Sequence, residues 1–224
     1  MKRNHLLLLG VVSLLLFAVI AFLVLENITQ AFDAQLALRL NSYQGAAFTT
    51  LMVDATLYGR EYFWIPIVVI MFLLGKRDTK VLAIELSILF IVGIVTGELL
   101  KYVIYRPRPF ETVSGMVVRV ALDTDSSFPS GHALITSIGA AFALLKFRSR
   151  IVSLLLTVEA AVVCYSRVYV GLHYPLDVLA GVLLGVAIVS LGLVVMESDR
   201  VRRSKSLASL FEKIVRGSHL PQLL

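Results

Sequence analysis

Apolar residues run along this chain in long unbroken stretches, each closed by a short charged cluster, and these stretches set the predicted elements. Lys2-Arg3 lead into an apolar run from Leu6 to Leu25 that ends at Glu26. That run exceeds the roughly 7 to 15 residues of a signal-peptide core and has no small-x-small cleavage site, so it predicts an uncleaved first transmembrane helix. From Asn27 to Arg60 the pattern is mixed: Phe32, Leu36, Leu40, Phe48, Leu51 and Leu57 recur at helical spacing among Asp33, Arg39 and Asp54. One or two amphipathic helices along the membrane surface are predicted there, broken at Gly45, as a rim that guides a lipid or as ordinary interfacial packing. A second span runs from Tyr62 to Leu74, short unless it begins inside the preceding segment, and a third from Val81 to Ile104.

Glu85 lies near the basic end of the third span, and Glu98 stands three residues before Lys101, placed to be its ion partner. Tyr105 to Phe128 reads as a polar loop, because Pro107 and Pro109 each lack an N–H and push the preceding residue toward extended geometry. The remaining spans run from Gly131 to Leu145, Ile151 to Val168 and Pro175 to Met196. Glu159, in the middle of the fifth, is expected to face the bundle and pair with a polar neighbour. The basic tail over 197–224 carries Leu207, Leu210, Phe211 and Ile214 at helical spacing, as a short amphipathic helix or a frayed terminus. The expectation is one all-α, polytopic membrane domain over 1–224, with six transmembrane helices and interfacial amphipathic helices between the first and second.

Composition agrees with that pattern. At 58% hydrophobic and 16% charged residues, with a mean hydropathy of +0.87, the chain has too little polar surface to cover a soluble globule. A net charge of +6 invites nucleic acid as a partner, but the basic residues sit in clusters between apolar spans, as in cytoplasmic loops, so that class is set aside. Six spans bring both termini to one side. Of the 21 Lys and Arg, 14 fall on that side and 7 on the other, which predicts cytoplasmic termini in a cell membrane. The single cysteine, Cys164, permits no intrachain disulfide.

The candidate chemistry collects on the outer face. Lys101 and Arg167 end the third and fifth spans, His132 and His173 open the fourth and sixth, and Arg108 lies in the loop between. Three permanent cations at one depth call for a highly charged anion, and guanidinium forks suit phosphate oxygens. Ser130 and Gly131 follow Pro129 at a helix start, where free backbone N–H groups favour phosphate. Asp177, in the first turn after Pro175, is within reach of His173; a carboxylate on one ring nitrogen leaves the other free to attack. His173 is therefore the candidate nucleophile and His132 the acid that protonates the leaving oxygen and then deprotonates water. Asp123 and Asp125 are the one close acidic pair in the outer loops, and a hard cation wants more oxygen ligands than they offer.

These residues resemble the type 2 phosphatidic acid phosphatases. Lys101-x6-Arg108-Pro109, Pro129-Ser130-Gly131-His132 and Ser166-Arg167-x5-His173-x3-Asp177 match the three parts of that family's signature in order. The resemblance implies a six-helix membrane fold, a phosphohistidine on His173, His132 as acid and base, and neither metal nor cofactor. Vanadium haloperoxidases share the signature but are soluble, so the apolar spans argue against that branch. Arg106 lies outside the signature, as a structural or headgroup-contacting residue. The expected substrate is a lipid phosphate on the outer face, with polyprenyl diphosphate first and phosphatidate or phosphatidylglycerophosphate as the alternative. Transfer to a lipid or sugar hydroxyl is a second enzyme class, and a lipid-binding or transport protein the non-enzyme one; the intact site residues speak against the latter.

Overall fold

The computed structural model describes residues 2–198 and Ile214, and the tail helix expected around Leu207, Leu210 and Phe211 lies outside the described residues. Among the described residues there are nine helices and no strand: α1 (Arg3–Leu25), α2 (Gln30–Asn41), α3 (Ala46–Tyr58), α4 (Glu61–Leu74), α5 (Arg77–Val103), α6 (Pro109–Thr112), α7 (Gly131–Lys146), α8 (Arg150–Tyr169) and α9 (Pro175–Met196). The membrane segments follow the apolar runs closely, and Pro175 opens α9 at a position where its missing N–H costs nothing.

Four helices, α1, α5, α8 and α9, are long and apolar enough to cross a bilayer. Of the six expected spans, the second and the fourth fall outside that group. The second corresponds to α4, which is apolar and long enough to cross only when taken with α3, and the two are bent by 53° at their junction, the shape of a broken span or of a re-entrant loop. The break falls at Gly59 and Arg60, where Arg60 leaves helical geometry at φ −105°, ψ −93°. The fourth expected span, α7, has 16 residues. At about 1.5 Å per residue it is shorter than a hydrocarbon core of about 30 Å. It lies in the middle of the bundle, packed by α5, α8 and α9, so most of its side chains never meet lipid.

Lipid is met instead by the outer faces of the peripheral helices, where Leu8, Leu15 and Phe22 of α1 and Ile91 and Leu99 of α5 are exposed. Inside, Trp64, Leu86, Leu89, Leu134, Ile138, Phe142 and Leu193 form the main core. Small residues bring the central helices close, as is common where lipid gives helices no hydrophobic reason to associate. A Cβ on Gly181 of α9 would stand 2.6 Å from the carbonyl oxygen of Ser130, and one on Gly185 2.9 Å from that of Leu134. The start of α7 is thereby seated directly on the backbone of α9.

Gly45 separates α2 from α3, as expected. The two helices do more than lie at a surface. Asn41 of α2 donates to the carbonyls of Val117 and Tyr169 at 2.8 and 2.7 Å, and Thr49 of α3 bonds the Tyr169 hydroxyl at 2.6 Å. Both helices are tied to the end of α8 that carries the site.

Candidate active site

Helix ends supply most of the site. Lys101 is in the last turn of α5, Arg167 in the last turn of α8, and Gly131 and His132 open α7. Arg108 caps the single turn of α6, held by its own N–H donating to Glu111 at 2.9 Å. His173 lies in the short loop between α8 and α9. All six line one polar cavity of about 380 Å³, together with Arg60, Asp123 and Asp125. Two expected members stand behind its wall. Ser130 is fully buried; its N–H donates to the Asp177 carbonyl at 3.0 Å and its hydroxyl caps Ala133, so it holds the helix start in place instead of facing an anion. Gly131 and His132 are left with the outward N–H groups of the first turn.

Asp177 is the second. It was expected to bond His173, but Asp177 Oδ2 lies 3.7 Å from His173 Nδ1, and that nitrogen is 2.8 Å from the Ser127 carbonyl. Asp177 takes the Ser127 hydroxyl at 2.5 Å and the Tyr174 N–H at 2.9 Å. Ser127 thus stands between carboxylate and imidazole. With the Nδ1 proton given to a backbone carbonyl, the lone pair is on Nε2, 3.4 Å from Arg108 Nη1. Burial, and after it the charges of Arg167, Arg108 and Lys101, push the His173 pKa well below the ordinary imidazole range, so the ring is neutral. His132 lines the same cavity, with the backbone of Thr56 as a hydrogen-bond partner.

Three cations this deep require counter-charge. Arg108 is 1% and Arg167 3% exposed. Arg167 donates to Thr56 Oγ1 at 2.6 Å and to Asp123 at 3.0 Å, while Arg108 pairs with Asp123 at 3.3 Å and with Asp125. Lys101 pairs with Asp125 and, as expected, with Glu98 at 3.6 Å. Burial alone would raise the Asp125 carboxyl; the bonds from Lys101 and Arg108 overcome it and hold the pKa at about 2. Sequence reasoning weighed Asp123 and Asp125 as metal ligands and missed this role, although three clustered cations beside a loop with two carboxylates carried the signal.

Arg106 resolves as a structural residue. It is buried and bridges Asp33 at 2.7 Å and Asp177 at 2.5 Å, donates to Gln30 Oε1 at 3.0 Å, and lies 3.9 Å above the Tyr174 ring. Asp33, fully buried, also accepts the Leu176 N–H at 3.0 Å. The underside of the site is therefore built by α2, which no local pattern announced. Glu159 turns inward as expected, but its carboxylate finds no hydrogen-bond partner among the described residues; Trp64 is the donor facing it, outside bonding geometry.

A cation-lined cavity at the helix ends of a membrane bundle, with one neutral histidine oriented by backbone, has the charge and the donors to hold a phosphate. Residues 81–200 match the model of the PAP2 superfamily, and the chain belongs to that superfamily. It is a multi-pass membrane lipid phosphatase. Over 154 residues it is 46% identical to the undecaprenyl-diphosphatase of Sulfolobus acidocaldarius, covering 69% of this chain and 73% of that one. Its fold is shared with the PAP2 type phosphatidylglycerolphosphate phosphatase of Bacillus subtilis (TM-score 0.69, 24% identity, 88% of this chain and 98% of the other). Aquifex aeolicus LpxE has it as well (TM-score 0.64, 23% identity, 71% and 93%).

Proposed function

We propose that this protein hydrolyses a polyprenyl diphosphate to the monophosphate at the outer face of the membrane, through a phosphohistidine on His173 and without a metal. The observation that carries the reading is a second cavity, apolar and of about 390 Å³, between α4, α5 and α7. It is lined by Trp64, Ile65, Val68, Phe90 and Leu134, and shares Arg60, Glu98 and Gly131 with the cation-lined one. A charged head and the first part of a hydrocarbon chain can be held at once, the rest of the chain lying in the bilayer. The name of the Sulfolobus acidocaldarius relative favours a diphosphate head.

In this mechanism Lys101, Arg108, Arg167 and the Gly131 N–H hold the oxygens of the terminal phosphate, supplying the charge stabilisation for which other phosphatases use a cation. His173 Nε2 attacks phosphorus, and the bond to the bridging oxygen breaks. Its electron pair stays on that oxygen, which takes a proton from His132 as the lipid monophosphate leaves. His132 then removes a proton from water, which attacks the phosphohistidine, breaks the P–N bond and releases inorganic phosphate. Ser127 and Asp177 act through His173, by keeping its Nδ1 proton in place. The outer face follows from the charge asymmetry of the loops.

Phosphate release by the purified protein in detergent micelles tests the reading. Polyprenyl diphosphate, its monophosphate, phosphatidate and phosphatidylglycerophosphate are compared, and the diphosphate is expected to have the highest kcat/KM. A higher value for either glycerolipid would overturn the substrate, and product formation on an added alcohol without free phosphate would make the protein a transferase.

A further inference from the structure

We propose that Arg60, at the elbow between α3 and α4, binds the lipid-proximal phosphate of a diphosphate substrate and sets the preference for diphosphates over monophosphates. This rests on the reading of the protein as a diphosphatase. Arg60 lies outside the three-part signature and more than 40 residues before it in the chain. The bend of 53° brings it to the wall shared by the two cavities. A Cβ on Gly131 would stand 3.5 Å from Arg60 Nη1 and 3.9 Å from Lys101 Nζ, so the two cations flank the space that this glycine leaves open.

Its electrostatic position differs from that of the other three. Lys101, Arg108 and Arg167 are engaged by Asp123 and Asp125, whereas the ion pair of Arg60 among the described residues is with its neighbour Glu61, whose side chain is 49% exposed. Arg60 Nε, like that of Arg167, is buried without a hydrogen-bond partner among the described residues, so what sets Arg60 apart is that no cavity aspartate is paired with it. A guanidinium whose Nη1 end borders the space beside Gly131, with no cavity carboxylate on it, is suited to a phosphate that arrives with the substrate.

The path of the substrate supplies the rest. With the terminal phosphorus at His173 and the chain between α4 and α5, the bridging oxygen and the second phosphate must pass the wall formed by Arg60, Glu98 and Gly131. Glu98 would repel them; Lys101 lines only the polar cavity, and Arg60 is the cation that lines both. Cleavage places new negative charge on the bridging oxygen of the departing monophosphate, and a fixed cation on the adjoining phosphate stabilises that charge while the proton arrives from His132. A lipid monophosphate puts an alkoxide carbon at the same point and gives Arg60 nothing to hold.

Farnesyl diphosphate and farnesyl monophosphate, identical in tail, are the probes, with kcat/KM measured for both on one preparation in micelles. Arg60→Gln is expected to lower the diphosphate value by about 10²-fold, the size of effect seen when one transition-state donor is removed, and the monophosphate value far less. Misfolded protein cancels in the ratio of the two. Should Arg60→Gln be inactive on both, Arg60→Lys decides: retaining charge but not the fork, it should shift the ratio toward the monophosphate. An unchanged ratio in Arg60→Gln, or in Arg60→Lys where that variant decides, overturns the assignment. If the wild-type protein fails to cleave farnesyl diphosphate, the diphosphatase reading has failed and this one with it, an outcome distinct from an unchanged ratio.

Discussion

The two histidines of the cavity are chemically separable. His173→Ala should abolish phosphoenzyme formation with any leaving group, because no nucleophile remains. His132→Ala should leave the first step nearly intact for an aryl phosphate, whose phenol departs without a proton, and block the second, where water needs a base. A burst of phenol followed by slow turnover, with label trapped on His173, is the expected trace in a rapid-quench experiment; label on His132 in the His173→Ala protein would invert the roles. The burial and cationic surroundings of His173 also set a pH expectation. Its pKa lies well below 6.5, so the nucleophile is still neutral as pH falls through 6.5, and phosphoenzyme formation, corrected for substrate ionisation, should not drop there. Protonation is more favourable in the unfolded chain, so the same shift costs folding stability below about pH 6.5, within the window between the two pKa values. Because Ser127 separates Asp177 from the ring, Asp177→Asn should lower both steps by about 10²-fold, less than where a carboxylate bonds the imidazole directly.

Helix starts and ends were the most legible elements. Pro129 before α7 and Pro175 at the head of α9 marked where His132 and His173 would emerge, and the charged clusters marked where the apolar runs stop. What was not legible depended on register between elements far apart in the chain. Nothing near Asp33 signals that α2 will dock its carboxylate on Arg106, and nothing near Arg60 signals a bend that delivers it to the cavity. Such pairings are decided by which faces of two helices meet, which periodicity within one helix does not encode. The glycines of α9 make that register testable. A methyl at Gly181 would press on the backbone of Ser130, and Gly181→Ala should cost about 1 to 3 kcal/mol by overpacking. It should also lower kcat by displacing the first turn of α7, measurable as a lowered unfolding temperature together with weaker vanadate inhibition. Asp33→Asn, which leaves Arg106 with one carboxylate, should reduce activity without moving the aryl-to-lipid substrate ratio, as befits a group remote from the reacting atoms.

At the scale of the whole molecule, orientation decides the biology. If the six-span topology that puts 14 of 21 basic residues on the side of the termini holds, a membrane-impermeant phosphate ester should be hydrolysed by intact cells, and a tag at Leu224 should be cut by protease only after lysis. Activity confined to inside-out vesicles would reverse the topology. The cationic cavity also predicts activity that survives a strong chelator and falls with vanadate, which adopts the five-coordinate geometry of phosphoryl transfer; loss in EDTA restored by magnesium would contradict it.

The two aspartates that sit on the cations give the protein a built-in rival to its own substrate. In the proposed mechanism a phosphate held by Lys101, Arg108 and Arg167 competes with Asp125 and Asp123 for the same cations, so its affinity is the difference between two anions competing for one place. On that mechanism the same rivalry would run backwards at the end of a cycle, the loop carboxylates reclaiming the cations as the free phosphate leaves. Asp125→Asn should therefore tighten inhibition by inorganic phosphate while slowing turnover wherever product departure limits the rate.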